Sequence, residues 1–425
     1  MGAAPTVGFV GMTHLGINSA AATAARGFDV LCYDPDPTLI DNLARGISPV
    51  TEPGLDALLQ GQSHRLSYTC DPARLGTCDL VYISADVPTD EAGRSDLSGI
   101  TALIETATAH VSAQGRLIIL CQVPPGFTRN IKGLPRERLF YQVETLVFGR
   151  AVDRALNPER FIIGCASPDQ PLDSQYRALL EAFNCPILPM RYESAELAKI
   201  AINCCLVASI GVANTLAELC EQIGADWGEI APALKLDARI GPSAYLSPGL
   251  GIAGGNLERD LITVLELSDE FDTDAGIIRA LLNNSRHRLG WATRTLREAF
   301  PAGGAHLAIW GLAYKENTHS VRNSPSLATL SGLPDMSLAV HDPVVSASVV
   351  EHPKVAAADT PLAALKGAQG LLILTPWPDY RVISVSDIAK GLEGRLVLDP
   401  YRVLDRKAAL AAGLDYRTLG VSEDF

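Results

Sequence analysis

TVGFVGMTHLG, residues 6–16, decides how the rest of this chain is read. A β-rich run stops at Gly11, and a helix-period stretch is under way by Gly16. A strand that turns straight into a helix leaves main-chain N–H groups at the positive end of the helix dipole, which suits an anion. Gly11 and Gly16 stand at the outer positions of the dinucleotide-binding fingerprint, the first for the tight turn and the second for close packing of helix on strand. Thr13 takes the middle position, where that fingerprint has another glycine. The turn residues Gly11, Thr13, His14, Leu15 and Gly16 are therefore the expected pyrophosphate cradle. The next strand, FDVLCYD (28–34), ends on Asp34, placed for the hydroxyls of an adenosine ribose. A carboxylate there repels a 2′-phosphate, so the expected cofactor is NAD rather than NADP.

Working outward, CDLVYIS (78–84) and GRLIILCQV (115–123) follow with helical spacers between them. Such alternation predicts a parallel, doubly wound α/β sheet. The theme returns late in the chain with AHLAIWGLAY (305–314), MSLAVHD (336–342), QGLLILTPW (369–377) and GRLVLD (394–399). CDLVYIS matches QGLLILT and GRLIIL matches GRLVLD in the same order, so two related Rossmann-like domains are expected. Between them β-runs vanish. Residues 193–224, ESAELAKIAINCCLVASIGVANTLAELCEQIG, keep apolar residues at helical spacing until Gly224. The resulting division is 1–192, a cofactor domain; 193–299, a central helical domain; and 300–425, a second α/β domain. The all-round apolarity of the central helix points to burial in a dimer interface.

The 425 residues are 47% hydrophobic and 20% charged, which suits a globular chain of more than one core. A net charge of −13 argues against a nucleic-acid or anionic-membrane partner. Nine cysteines without a paired framework read as free thiols of a reducing compartment. Neither a basic leader nor an apolar run long enough for a span is read from the sequence, so a cytoplasmic protein is expected. No metal site is expected.

PGLGIAGGNLERDL (248–261) has the design of a ligand cradle: glycines let backbone pass close to another group, and NLERD starts a helix. The side chain it presents, Asn256, is neither a nucleophile nor an acid or base at neutral pH.

With these pieces assembled, the chain resembles the UDP-glucose/GDP-mannose dehydrogenase family over nearly its whole length. GISPVTEPGLDALL (46–59), the Pro-Thr loop VPTDEAGRSDL (87–97) and VPPGFTR (123–129) resemble segments of its first domain. AELAKIAIN (195–203) and DARIG (237–241) resemble its central helix and arginine loop. GLAYKENTHSVRNSPS (311–326) and LVLDPYRVLD (396–405) resemble the opening and the terminal arginine strand of its third domain. The resemblance implies two Rossmann-like domains joined by a long helix that builds a homodimer. It also implies oxidation of a nucleotide-sugar alcohol to a carboxylate with two NAD.

Carried over residue by residue, the resemblance makes Lys199 and Asn203 the pair that holds the reacting oxygen, four residues apart on one helix face. Asp260 falls on the catalytic-loop aspartate, Arg259 stands where a lysine is usual, and Glu144 falls on a glutamate that handles water. Pro88, Thr89 and Gln122 join the cofactor contacts. Arg239 falls on the arginine that reaches the neighbouring subunit's nucleotide sugar. Lys315, Arg322 and Arg402 fall on positions lining the nucleotide site, Lys315 and Arg322 being grouped with the cofactor contacts. Tyr245, Gly251, Gly254, Gly255 and Tyr314 complete the substrate set.

Three positions depart from the family pattern. Asn256 replaces the nucleophilic cysteine, Gln122 the threonine of a Ser-Thr-Val turn, and Phe148 the second glutamate of a Glu-Phe-Leu-x-Glu segment. The groups for a first hydride transfer remain, while the losses fall on the second oxidation, so a two-electron oxidation to a carbonyl is expected. Other outcomes stay open: epimerisation through a transient keto sugar, full oxidation to a uronate with another nucleophile such as Cys121, or an inactive nucleotide-sugar-binding homologue.

Overall fold

The computed structural model describes residues 4–90 and 93–422, so Glu91 and Ala92 of the Pro-Thr loop lie outside the described residues. The chain divides into two units, Met1–Ile202 and Asn203–Phe425, each built on its own sheet.

In the first unit the strands are β1 (Val7–Val10), β2 (Val30–Tyr33), β3 (Leu66–Thr69), β4 (Leu80–Ile83), β5 (Arg116–Ile119), β6 (Leu139–Gln142), β7 (Phe161–Cys165) and β8 (Ile187–Arg191). Their spatial order is β3-β2-β1-β4-β5-β6-β7-β8. β1, β2 and β4 are buried at every residue because helices cover both faces of a parallel sheet. Alternation sends Phe9 and Tyr82 into one core and Val10 and Ile83 into the other. The chain reverses between β1 and β4, leaving a crevice beyond their carboxyl ends, where ligands of such sheets bind.

The sheet departs from the expected all-parallel form at one seam. β7 runs antiparallel to β6, pairing Tyr141 with Gly164 and Gln142 with Ile163. The link between them, residues 143–160, holds one short helix, Ala151–Leu156, and returns the chain beside β6 in the opposite direction.

The second unit carries β9 (His306–Trp310), β10 (Ser337–His341), β11 (Val355–Ala357), β12 (Gly370–Ile373), β13 (Leu396–Leu398) and β14 (Asp415–Arg417). Their order, β11-β10-β9-β12-β13-β14, repeats the first six strands of the other sheet. The internal repeat read from the sequence is therefore real: CDLVYIS and QGLLILT supply β4 and β12, and GRLIIL and GRLVLD supply β5 and β13.

The helix Tyr192–Ile223 runs for 32 residues, about 48 Å at 1.5 Å per residue. Contrary to the expectation from run length, it holds an 18-residue window of mean hydropathy 1.8 and is by length and composition able to cross a membrane; 39% of that window is buried within the protein. Its polar groups are bound inside each unit. Glu196 accepts from Gly126 N and Thr128 N at 2.6 and 2.8 Å, and Asn214 accepts from Gly249 N at 2.9 Å. Those bonds are what a helix in a protein interior requires.

Candidate active site

The first turn is built by contact rather than by composition. Gly11 has φ +93°, and a side chain there would press on Ala85. A Cβ at Gly16 would fall 2.0 Å from the Gly11 carbonyl oxygen, so helix and strand meet at glycine-only distance. Thr13 sits in extended backbone, φ −88° and ψ −170°, which any residue adopts. That is why the middle glycine can be replaced. The Thr13 hydroxyl accepts from Asp86 N at 2.8 Å and so ties the turn to the segment after β4. Thr13 makes no side-chain cap to the helix His14–Ala25, and the first turn of that helix has no acidic residue. Asp34, 9% exposed, accepts from Met12 N at 2.8 Å and Asp36 N at 3.0 Å. At the helix start Leu15 N donates to Asp86 Oδ2 at a long 3.5 Å, and a close-packed glycine cradle with a carboxylate at the end of β2 fits NAD.

Elsewhere in this unit, exposed Pro88 accepts from Asp96 N at 2.8 Å, and Thr89 bridges to Ser95. Gln122 follows β5, half-buried. The Glu144 carboxylate lies 3.5 Å from the Lys199 ammonium, with both side chains largely buried. Cys121 is fully buried, its thiol donates to the Ile83 carbonyl at 3.2 Å, and burial raises its pKa far above the ordinary thiol value. A thiol so held is inert, which removes Cys121 as a replacement nucleophile.

In the second unit, Asn203 Nδ2 donates to Asp260 Oδ2 at 2.6 Å. Arg259 Nε lies 3.4 Å from the other oxygen, and Arg259 and Asp260 are both buried. The glycine loop runs close to its neighbours. Gly251, φ +84°, leaves a Cβ only 2.6 Å from Ser285 O, and Gly254, φ +75°, faces the Tyr314 ring at 3.2 Å. Gly255 caps the helix Asn256–Glu270, leaving Asn256 exposed at its first residue. Burial pushes the Cys204 thiol up to about 11, with the Asp260 carboxylate adding to the shift.

The remaining carried-over residues are dispersed. Lys315 Nζ stands over the Tyr314 ring at 5.7 Å, and Arg322 is exposed. Tyr245 is 48% exposed. The Arg239 side chain is 89% exposed and pairs with Asp237 at 2.7 Å. Arg402, with φ +52°, donates to Asp226 Oδ1 at 2.9 Å and to Leu419 O at 3.2 Å. Its guanidinium thus takes part in holding the helix Trp227–Leu236, which Asp226 caps.

Two residues escaped the sequence reading. Asn323, with φ +45°, donates to Gly254 O at 3.0 Å and Glu258 at 2.8 Å, pinning the glycine loop from 69 residues away. Its only local signal is an asparagine ahead of the Ser-Pro helix start. Glu52 is the other, held by His14, Gly149 and Ala151. No local pattern announces those distant partners.

Fold and site together define an NAD-dependent oxidoreductase with paired Rossmann-like domains. Models of the NAD binding, central and UDP binding domains of the UDP-glucose/GDP-mannose dehydrogenase family match residues 5–184, 193–286 and 308–406. UDP-glucose 6-dehydrogenase of Pseudomonas aeruginosa is 30% identical over 97% of this chain and 96% of its own. UDP-glucose 6-dehydrogenase TuaD of Bacillus subtilis is 27% identical over 97% of this chain and 93% of its own. Among solved structures, a UDP-glucose dehydrogenase from Pyrobaculum islandicum superposes with a TM-score of 0.86 at 26% identity, covering 99% of this chain and 98% of its own. The chain belongs to the UDP-glucose/GDP-mannose dehydrogenase family and is an NAD-dependent nucleotide-sugar dehydrogenase.

Proposed function

We propose that this protein oxidises one hydroxyl of a UDP- or GDP-linked hexose to a carbonyl and releases the product at that stage. NAD, when bound, accepts the hydride. Lys199, with Glu144 beside it, and Asn203, one helical turn on, hold the sugar oxygen. Asp260 takes the hydroxyl proton, its position set by Asn203 and Arg259. The glycine backbone of 251–255 lies along the sugar, with Tyr314 behind it.

Asn256 carries this reading. It stands exposed at the start of its helix, where the family has a cysteine, and a carboxamide forms no acyl intermediate. Cys121 and Cys204, both held as poorly ionised thiols, supply no substitute. Without a thiol adduct the second hydride has only an aldehyde hydrate to leave from. Phe148 offers no carboxylate as a general base for that step and Gln122 no hydroxyl, and general-base help is worth about 10²–10⁴-fold.

The active form we propose is a homodimer in the cytoplasm, with the neighbour's Arg239 reaching the sugar nucleotide. Val212, Leu216, Leu219 and Ile223 expose 39–63% of their surface along the central helix, an apolar strip that suits a second copy.

Counting NADH against sugar consumed tests the reading. One NADH per sugar and a product trapped by hydroxylamine are expected, and Asn256→Cys alone should restore little acid. A uronic acid with two NADH per sugar in the unmodified protein would overturn it. NADH that never accumulates while the sugar changes configuration would favour epimerisation.

A further inference from the structure

Glu52 has a fully buried side chain and three partners from two separate parts of the first unit. Its Oε1 meets His14 Nε2 at 2.8 Å and accepts from Gly149 N at 2.7 Å. Its Oε2 accepts from Ala151 N at 3.3 Å. His14 is the first residue of the helix that opens at the cofactor turn. Gly149 and Ala151 flank the far end of the loop 143–150, whose near end carries Glu144 against Lys199. Phe148, in the same loop, lies on the His14 ring with centroids 4.1 Å apart and planes 29° from parallel.

We infer that Glu52 is a positioning residue, joining occupancy of the cofactor turn to placement of the loop that holds Glu144. The physical case is that a buried carboxylate must keep its hydrogen-bond partners, because leaving it unpaired is costly. His14 therefore cannot move without moving Glu52 or breaking its bond, and the same holds for Gly149. Phe148, standing where the family has a second glutamate, adds a ring contact to the same histidine. A ligand that fixes His14 at the turn then restricts residues 143–151 through one buried side chain. Any such coupling is reciprocal, so a loop released from Glu52 weakens the ligand by the factor the ligand no longer spends on ordering it.

The test uses the full chain, NAD alone and no sugar, so it stands whether oxidation stops at the carbonyl or not. Hydrogen exchange across residues 143–151 is measured with and without NAD, and NAD affinity by calorimetric titration. In the unmodified protein NAD should slow exchange at Gly149 and Ala151 by about 10-fold. Glu52→Ala should abolish that slowing and weaken NAD by a similar factor of about 10, while Glu52→Gln, which keeps an acceptor oxygen, should retain part of both. A merely structural role predicts faster exchange in Glu52→Ala with the response to NAD intact, and that result overturns the inference. So does a loop that ignores NAD in the unmodified protein. If Glu52→Ala does not fold, His14→Phe keeps a ring against Phe148 and removes the bond to Glu52. Loss of the NAD response in that variant at NAD concentrations shown by the titration to saturate it supports the coupling, and its persistence overturns it.

Discussion

The two sheets carry the same turn and use it differently. β1 ends at Gly11 and β9 at Gly311, with φ +93° and +99°, and each glycine N–H bonds the end of the neighbouring strand, to Tyr33 O at 2.9 Å and to His341 O at 2.8 Å. In each, a carboxylate closes the next strand: Asp34 after β2 and Asp342 after β10. There the likeness stops. A 12-residue helix starts at His14, three positions after Gly11, with no cap from the Thr13 side chain. After Gly311 the chain instead wanders through Tyr314, Lys315 and Arg322 before a helix begins at Pro325, capped by Ser324. Asp34 accepts two backbone N–H groups. Asp342 accepts from Leu312, Ala313, Val344 and Val345 N at 2.7–3.1 Å and from Trp377 Nε1 at 3.0 Å. The second turn has used two successive amides on its own carboxylate, whereas the first spends Met12 N on Asp34 and reaches the Asp86 carboxylate from Leu15 N only at 3.5 Å. The proposed site accordingly takes its pyrophosphate on main-chain amides in the first unit and leaves the second to side-chain cations.

The sharpest way to break this contrast is Asp342→Ala. It strips a partner from Leu312 N, Ala313 N and Trp377 Nε1 at once, so stability should fall by about 3 kcal/mol or more. Calorimetry should show the second unit melting roughly 6–12 °C lower, and an unchanged melting temperature would show that Asp342 does not hold this turn together.

Arg239→Ala tests the reliance on side-chain cations. Arg239 is 89% exposed, so the variant should fold normally, yet the KM for the sugar nucleotide should rise roughly 10- to 150-fold with the KM for NAD unmoved. An ordinary sugar KM in a dimeric variant would remove Arg239 from the site.

Asp34→Ala should have the smallest effect. Only Met12 N and Asp36 N lose a partner, NAD should bind about 10-fold more weakly, and discrimination against NADP should shrink. Steady-state comparison of the two cofactors decides it, and equal use of both by the unmodified protein would dismiss Asp34 as the ribose ligand.

Legibility in the sequence followed the range of the interactions. The strand–turn–helix at residues 6–16 and the long helix through residues 193–223 rest on local periodicity and turn chemistry, and both are where the pattern places them. The helix start at Asn256 was equally local. The antiparallel seam at β6 and β7 was hidden because pairing direction depends on the path of the link, which composition does not encode. Run length also understated how apolar the central helix is, since polar asparagines interrupt a window that carries few charges.

By itself, the sequence determined the paired α/β architecture, the glycine turn after β1 with Asp34 closing β2, and the absence of a thiol at position 256, because each depends on residue type at short spacing. Only the tertiary structure decided that Cys121 is sealed in the core, that Asn203 and Arg259 flank Asp260, and that Glu52 bonds Gly149 across 97 residues. Those outcomes turn on burial and on partners brought together by folding. A carboxylate or thiol has the same formula in a loop as in a core, and its surroundings alone settle whether it ionises, anchors or reacts.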